Sequence, residues 1–150
     1  MTLARRERGG DHGQALVEMA LMLPVLLLLL VGVFDLGRAV WLSNTLAMAV
    51  REGSRYGVVH GALSASPAGP GSATYTAPDV DTAIASAVQR YATGIPNLTV
   101  NASWPDGDAN RGSRIVVSAS FPFTPILAEA FLGNALHVTL QSSSTLVIEQ

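Results

Sequence analysis

The chain has 150 residues, of which 49% are hydrophobic and only 13% are charged, and its formal net charge is -2. This length fits one small domain plus a membrane anchor, and the low charge is unusual for a soluble domain of this size. The absence of a basic stripe excludes nucleic acid as a partner. The absence of cysteine excludes disulfides, thiolate metal sites and cysteine nucleophiles.

The first predicted element is a membrane-spanning helix. The sequence is apolar from Ala15 to Phe34, which is about 20 residues and about 30 Å as a helix, enough to cross a bilayer core. A cleaved secretory signal is disfavoured, because the run is too long and no small-residue cleavage site follows it directly. An ordinary uncleaved anchor remains open. The arginine-bearing leader, residues 1–13, predicts a cytoplasmic N-terminus and a single-pass topology.

Glu18 is the one charged residue inside this apolar run, and Gly13 and Gln14 stand immediately before the run. An ionised carboxylate in hydrocarbon costs several kcal/mol, and a generic anchor has no use for that cost. One interpretation is that Glu18 pairs with the α-amine of a new N-terminus four residues earlier. The other is a carboxylate at the end of the helix that reaches back to the membrane interface.

A short charged leader, a glycine, four residues, a glutamate and an apolar helix together resemble a type IV prepilin signal. Further segments make the resemblance more specific. Over about residues 13–57 the chain is similar to the N-terminal signature of TadE-like proteins of bacterial tight-adherence (Flp-type) pilus systems. The segments that carry it are Gly13 to Glu18, the Leu-rich run with Pro24, Asp35-Leu36-Gly37-Arg38-Ala39, and Ala49 to Tyr56 (AVREGSRY).

This resemblance implies processing and assembly. A prepilin peptidase would cut between Gly13 and Gln14, so that the α-amine of Gln14 could neutralise Glu18 and set subunit register. Losing one partner of such a buried pair costs about 3–5 kcal/mol. The implied processing residues are Gly13, Gln14 and Glu18, and the implied helix-packing residues are Glu18, Pro24, Asp35, Gly37, Arg38, Arg51, Glu52, Gly53 and Arg55.

The resemblance also implies a role and a location: a minor pilin or pseudopilin of tight-adherence pilus biogenesis that assembles through its N-terminal helix. Its partners would be the bacterial inner membrane, other pilin or pseudopilin subunits, the pilus assembly machinery and a prepilin peptidase. The C-terminal head would lie in the periplasm or on the pilus. Two alternatives stay open: an uncleaved, membrane-anchored assembly or secretion factor, and an anchored adhesive or ligand-binding module.

The membrane helix is predicted to continue beyond the bilayer, because no strong breaker follows before Val59. A rod from Gln14 to Tyr56 would be about 65 Å long. Pro24 removes one backbone hydrogen bond and crowds the carbonyl of Ala20, which predicts a kink or local melting. Such a weak point could let the rod bend on entering a filament, or it could be an ordinary kink in a membrane helix.

Several residues of this rod are spaced to interact. Asp35 with Arg38, and Glu52 with Arg55, are three apart and can pair on one helix face, either as subunit contacts or as solvated surface pairs. Gly53 and Gly57 permit close backbone approach, which predicts packing against the domain's own sheet. Trp41 is placed to be an interfacial anchor.

A Gly/Ser/Pro-rich loop over residues 61–78 separates the rod, residues 14–60, from a predicted α+β head over residues 79–150. The length of the loop suggests mobility or a binding function. The head is predicted to contain a helix from Asp79 to Thr93 and a short helix from Pro125 to Leu132. Three runs with apolar residues at every second position predict a three-stranded antiparallel sheet. They contain Leu98 to Trp104, Ile115 to Phe123 and Leu136 to Ile148.

Catalytic and metal-binding patterns are weak. Asp106 to Asn110 resembles the start of a calcium loop, but Arg111 and Val117 occupy the positions that require glycine and glutamate, so a polar turn explains the segment better. The histidines are isolated, and none has ligand spacing to another histidine. We therefore expect no enzyme, no cofactor and no metal.

Overall fold

The computed structural model describes residues 11–70, 73–76, 82–133 and 137–149. A long N-terminal helix is followed by a small head of mixed helices and strands. The predicted α+β class is confirmed, with one more strand than expected. The elements in chain order are α1 (Asp11–Val59), β1 (Ala73–Thr76), α2 (Ala83–Tyr91), β2 (Thr99–Ser103), β3 (Arg114–Phe123), α3 (Ile126–Leu132) and β4 (Val138–Val147).

Helix α1 has 49 residues, and it is unbroken at Pro24. Its length is about 70 Å at about 1.5 Å per residue. The local melting predicted at Pro24 therefore does not occur, because the surrounding leucines favour the helix and the proline removes only one donor. The side chains of residues 13–30 are exposed. By length and composition the helix can cross a membrane.

The sheet has four strands in the order β1-β2-β3-β4, and every neighbouring pair is antiparallel. The prediction of three strands missed β1, which lies inside the stretch predicted as a loop. Strand β1 has only four residues, too few for alternation to separate it from the polar segment before it. Its place is set by β2, where Val100 lies opposite Tyr75.

The predicted inward faces of β2 and β3 are confirmed. Their buried residues are Leu98, Val100, Ala102 and Trp104, followed by Ile115, Val117, Ala119, Phe121 and Phe123. On β4 the burial is weaker: Ile148 is buried, but Val138 is 45% exposed. Val138 lies opposite Phe123 and so shares its face, but it stands at an uncovered end of an edge strand. Leu136 lies outside the described residues.

Helices α1 and α2 cover one face of the sheet. Helix α1 packs against β3 and β4, and α2 packs against α1 and β2. Thr82 caps the start of α2, where its Oγ1 accepts from the amide of Ala85 at 3.2 Å. The predicted start at Asp79 lies outside the described residues. The helix ends at Tyr91 and not at Thr93, and Gly94 takes the positive φ of +79° that the turn after the helix requires.

Candidate assembly and membrane-anchoring site

The N-terminal half of α1 carries Glu18 among exposed apolar side chains. The side-chain amide of Gln14 donates a hydrogen bond to Glu18 Oε1 at 3.0 Å. The two residues are one helical turn apart, so the carboxylate has a partner within its own chain. Gly13 stands in open space, because within the described residues no atom outside its own stretch of helix backbone lies within 4 Å of the position that a Cβ would occupy. Gly13, Gln14 and Glu18 are all exposed.

A second group of residues joins α1 to the base of the head. We call it the junction cluster: Asp35, Arg38, Phe123, Thr124 and Leu127. Asp35 is only 6% exposed, and its Oδ2 accepts from the amide of Leu127 at 3.2 Å. Pro125, the N-cap of α3, supplies no side-chain cap. Asp35 therefore caps this helix from 92 residues away.

Arg38 reaches from α1 to the end of β3. Its Nη2 donates to the carbonyl of Thr124, and its guanidinium carbon lies 4.6 Å from the centroid of the Phe123 ring. The predicted pair with Asp35 is present, with 3.7 Å between Nη2 and Oδ1, which is too long for a hydrogen bond. Asp35 is buried, so the interpretation of this pair as solvated surface is wrong.

Gly53 and Gly57 allow α1 to lie directly on the head, as predicted. A Cβ at Gly53 would stand 2.3 Å from Val88 Cγ2 on α2, and a Cβ at Gly57 would stand 2.1 Å from Ile115 Cδ1 on β3. The close approach therefore involves α2 as well as the sheet. Gly37, by contrast, has nothing within 4 Å.

The charged residues of the later signature lie at the surface beside the head, where Glu52 is half-buried. Arg51 and Arg55 are exposed, and Arg55 Nη1 lies 3.3 Å from Glu52 Oε1 in the predicted pair. This pair is solvated. The residues of the signature thus divide into two sets: Asp35, Arg38 and Gly53 contact the head, while Arg51 and Arg55 are exposed and Glu52 is half-buried.

Ser54 is a contact that sequence reasoning missed. It is fully buried, and its hydroxyl is shared between the carbonyl of Val50 at 3.0 Å and that of Ser144 on β4 at 3.3 Å. A serine within a helix gives no sequence signal for such a role, because the second acceptor is supplied by a distant strand. The bond fixes the position of α1 along β4.

The segment that resembled a calcium loop forms the turn between β2 and β3. Asp106 Oδ1 accepts from Arg114 Nη2 at 2.7 Å, and Oδ2 accepts from Arg114 Nε at 3.1 Å and from its amide at 2.8 Å. These bonds lower the pKa of Asp106 from 3.8 to about 2. Asp108 accepts from Ser113 and from the amide of Asn110, which also lowers its pKa. Both carboxylates close the turn, as the polar-turn interpretation predicts.

The loop after α1 is tied to this same end of the head. The amide of Ala62 donates to the carbonyl of Ala109 at 2.9 Å. Gly69 packs on the ring of Trp104, which lies 2.3 Å from the position of a Cβ. The first part of the predicted binding loop is therefore fixed by contacts, while Leu63 remains 83% exposed.

An exposed apolar helix that continues into the core of a small antiparallel head indicates a single-pass membrane protein. Residues 13–55 match the model of the family described as TadE-like protein, which confirms the resemblance over this segment, under a third of the chain. The match suggests involvement in tight-adherence pilus biogenesis, in a family that is structural and not typically enzymatic. No curated protein and no solved structure matches the chain.

Proposed function

We propose that the chain is a minor pilin or pseudopilin-like membrane protein of tight-adherence pilus biogenesis, which assembles through α1. The observation that carries the proposal is the run of exposed apolar side chains along residues 15–30 with a single carboxylate inside it. Such a surface requires lipid or other helices to cover it. Before assembly the cover is the bilayer, and in a filament it is the corresponding helices of neighbouring subunits.

Glu18 sets the register of this assembly after cleavage between Gly13 and Gln14. In the uncut chain its partner is the neutral amide of Gln14, 3.0 Å away. Cleavage would supply a charged α-amine, and charge-assisted hydrogen bonds are about twice as strong as neutral ones. Because an apolar surface alone fixes no register, one charged pair between helices selects a single alignment.

The remaining signature residues have two roles. Asp35, Arg38 and Gly53 keep the head seated on α1, and Arg51, Glu52 and Arg55 contact neighbouring subunits or the assembly machinery. The protein lies in the bacterial inner membrane with its leader, residues 1–13, in the cytoplasm, and its head lies in the periplasm or on the pilus. Pro24 and Gly37 belong to the helix surface that packs with other pilin helices.

The processing step is tested by N-terminal sequencing of chain expressed with and without a prepilin peptidase. We expect the chain to begin at Gln14 only when the peptidase is present. Gly13→Val should block the cut, because it changes the residue that the peptidase recognises before the cut bond. It should not disturb the fold, since a Cβ there meets no other atom. Gly37→Val is the matched control, because Gly37 is equally unobstructed, and this variant should be cut normally.

The same strains test assembly. The cut chain should appear among pili sheared from the cells, whereas the Gly13→Val chain should stay in the membrane fraction. If the chain still begins upstream of Gln14 when the peptidase is present, the pseudopilin proposal is wrong.

The second candidate is an uncleaved, membrane-anchored assembly factor that binds its partners through the head. The bond from Gln14 to Glu18 favours it, because the carboxylate then has a partner without any cleavage. This candidate predicts an unchanged N-terminus with and without the peptidase, and retention of the chain in the membrane fraction in both cases.

A further inference from the structure

Helix α3 lies beside the last turn of the apolar span. The side chains of residues 13–30 are exposed, but Val31 and Gly32 are half-buried. Leu127 Cδ1 lies 3.7 Å from the position of a Cβ at Gly32, and the amide of Leu127 donates to Asp35. The beginning of α3 is therefore level with residues 32–35 of α1.

This level coincides with the boundary of the bilayer. The apolar span ends at Phe34, so Gly32 lies about 3 Å inside that end and Asp35 about 1.5 Å outside it, at about 1.5 Å per residue. The headgroup region adds about 5–7 Å on each side of the hydrocarbon core. Because Leu127 contacts the span below its end, α3 starts at the depth where acyl chains meet headgroups.

The outward side of this end of the head carries three exposed apolar side chains, beside the polar side chains of Glu129 and His137. Ile126 is 40% exposed and Val138 is 45% exposed, and Ala130 is also exposed. Val138 lies opposite Phe123 in the sheet, and Phe123 lies beneath Arg38, which places Val138 at the same end as α3. We call Ile126, Ala130 and Val138 the membrane-facing patch.

We propose that the membrane-facing patch sits in the lipid at the boundary between acyl chains and headgroups, and so gives the head a second contact with the bilayer beside α1. Lipid is the occupant because α3 approaches the apolar span at Gly32, which places the patch beside the surface of α1 that the bilayer covers. The exposed carboxylate of Glu129 on α3 limits the depth, since a charge is held at the headgroups. The inference rests on the membrane crossing of α1 in the proposed function.

The absence of cysteine makes the test direct. Single cysteines are introduced by Ile126→Cys and, independently, Val138→Cys, and each is labelled with an environment-sensitive fluorophore. The full chain is placed in phosphatidylcholine vesicles, with and without lipids that carry a nitroxide high on the acyl chain. Leu26→Cys, within the span, is the lipid-exposed control. Leu63→Cys is the matched water-exposed control, since Leu63 is an exposed aliphatic residue at the other end of the head.

We expect labels at Ile126 and Val138 to emit at shorter wavelength than the label at Leu63 and to be quenched several-fold more by the nitroxide lipids. If they match the label at Leu63 while the label at Leu26 is quenched, this inference is overturned and the membrane crossing stands. Protection from aqueous iodide without quenching by lipid would also overturn it, because another protein surface would then cover the patch. An unquenched label at Leu26 would overturn the membrane crossing itself.

Discussion

Asp35 connects two parts of the molecule through a single carboxylate. One oxygen accepts from the amide of Leu127 at the start of α3, and the other faces Arg38 on its own helix. Asp35 Oδ1 and Arg38 Nε are buried, and neither has a hydrogen-bond partner within the described part of the chain. The cluster is therefore held by the cap, the Arg38 contact with Thr124 and the ring of Phe123, more than by the ion pair itself.

The cap predicts a local effect of Asp35→Ala. Losing a side-chain cap costs about 0.5–2 kcal/mol, so amide hydrogens early in α3 should exchange faster while the sheet keeps its protection. Hydrogen exchange with mass spectrometry on the full chain in micelles measures this. Asp35→Asn is the matched control, because its amide oxygen can still accept from Leu127. Equal exchange in the alanine and asparagine variants would show that the cap contributes nothing.

Gly53 gives a second prediction for a single residue. The Cβ of Gly53→Ala would stand 2.3 Å from Val88 Cγ2. Because valine is β-branched, the side chain of Val88 has little rotamer freedom to move away. Overpacking costs about 1–3 kcal/mol, and the better helix propensity of alanine returns about 1 kcal/mol. We expect a net loss of about 1 kcal/mol and a lower melting temperature.

The control for this variant is Gly37→Ala, which makes the same change where no atom lies within 4 Å. It should leave the melting temperature unchanged or raise it slightly. Near-ultraviolet circular dichroism of the full chain in micelles follows the tertiary packing of the head. If Gly53→Ala melts no lower than Gly37→Ala, the close packing of α1 on α2 is wrong.

Among the elements, the turn between β2 and β3 has a pH dependence set by Asp106. Its bonds with Arg114 lower its pKa from 3.8 to about 2, so the folded state favours the ionised form. This contribution is fully present above pH 3.8 and is lost as the pH falls to about 2. Asp106→Asn should therefore melt below the unchanged chain near neutral pH, and the difference should shrink over that acid range.

Melting curves of the two chains at several pH values measure the effect. The site is exposed, so the difference should also decrease in high salt. A difference that stays constant down to the lowest pH would show that the ionised form of Asp106 is not what stabilises the turn.

The elements that could be predicted from sequence are those whose signal is local and long. The membrane helix is predicted by a long apolar run with one charge in it, and β2 and β3 are predicted by strict alternation of apolar and polar residues. Strand β1 was missed since its place depends on pairing with β2, 27 residues away at the bond between Thr74 and Asn101. The roles of Asp35 and Ser54 were also invisible, because their partners lie 92 and 90 residues away.

At the scale of the whole molecule, the two halves of α1 have different roles. Its first half presents apolar side chains to the surroundings, and its second half supplies Leu46, Ala49 and Val50 to the core of the head. The resemblance to a prepilin signal implies the candidate processing residues Gly13 and Glu18, and this stays a prediction. It could not show which signature charges face outward, because that depends on which side of α1 the sheet covers.

The continuity of α1 has a mechanical consequence. The helix is unbroken from Asp11 to Val59, and its last turns are held by the buried contacts of Gly53, Ser54 and Gly57. The membrane segment and the part of α1 packed in the head belong to one continuous helix. An axial force on the membrane segment is therefore transmitted directly to the head. In the proposed assembly, a subunit drawn from the bilayer by its helix would therefore bring its head with it as one rigid body.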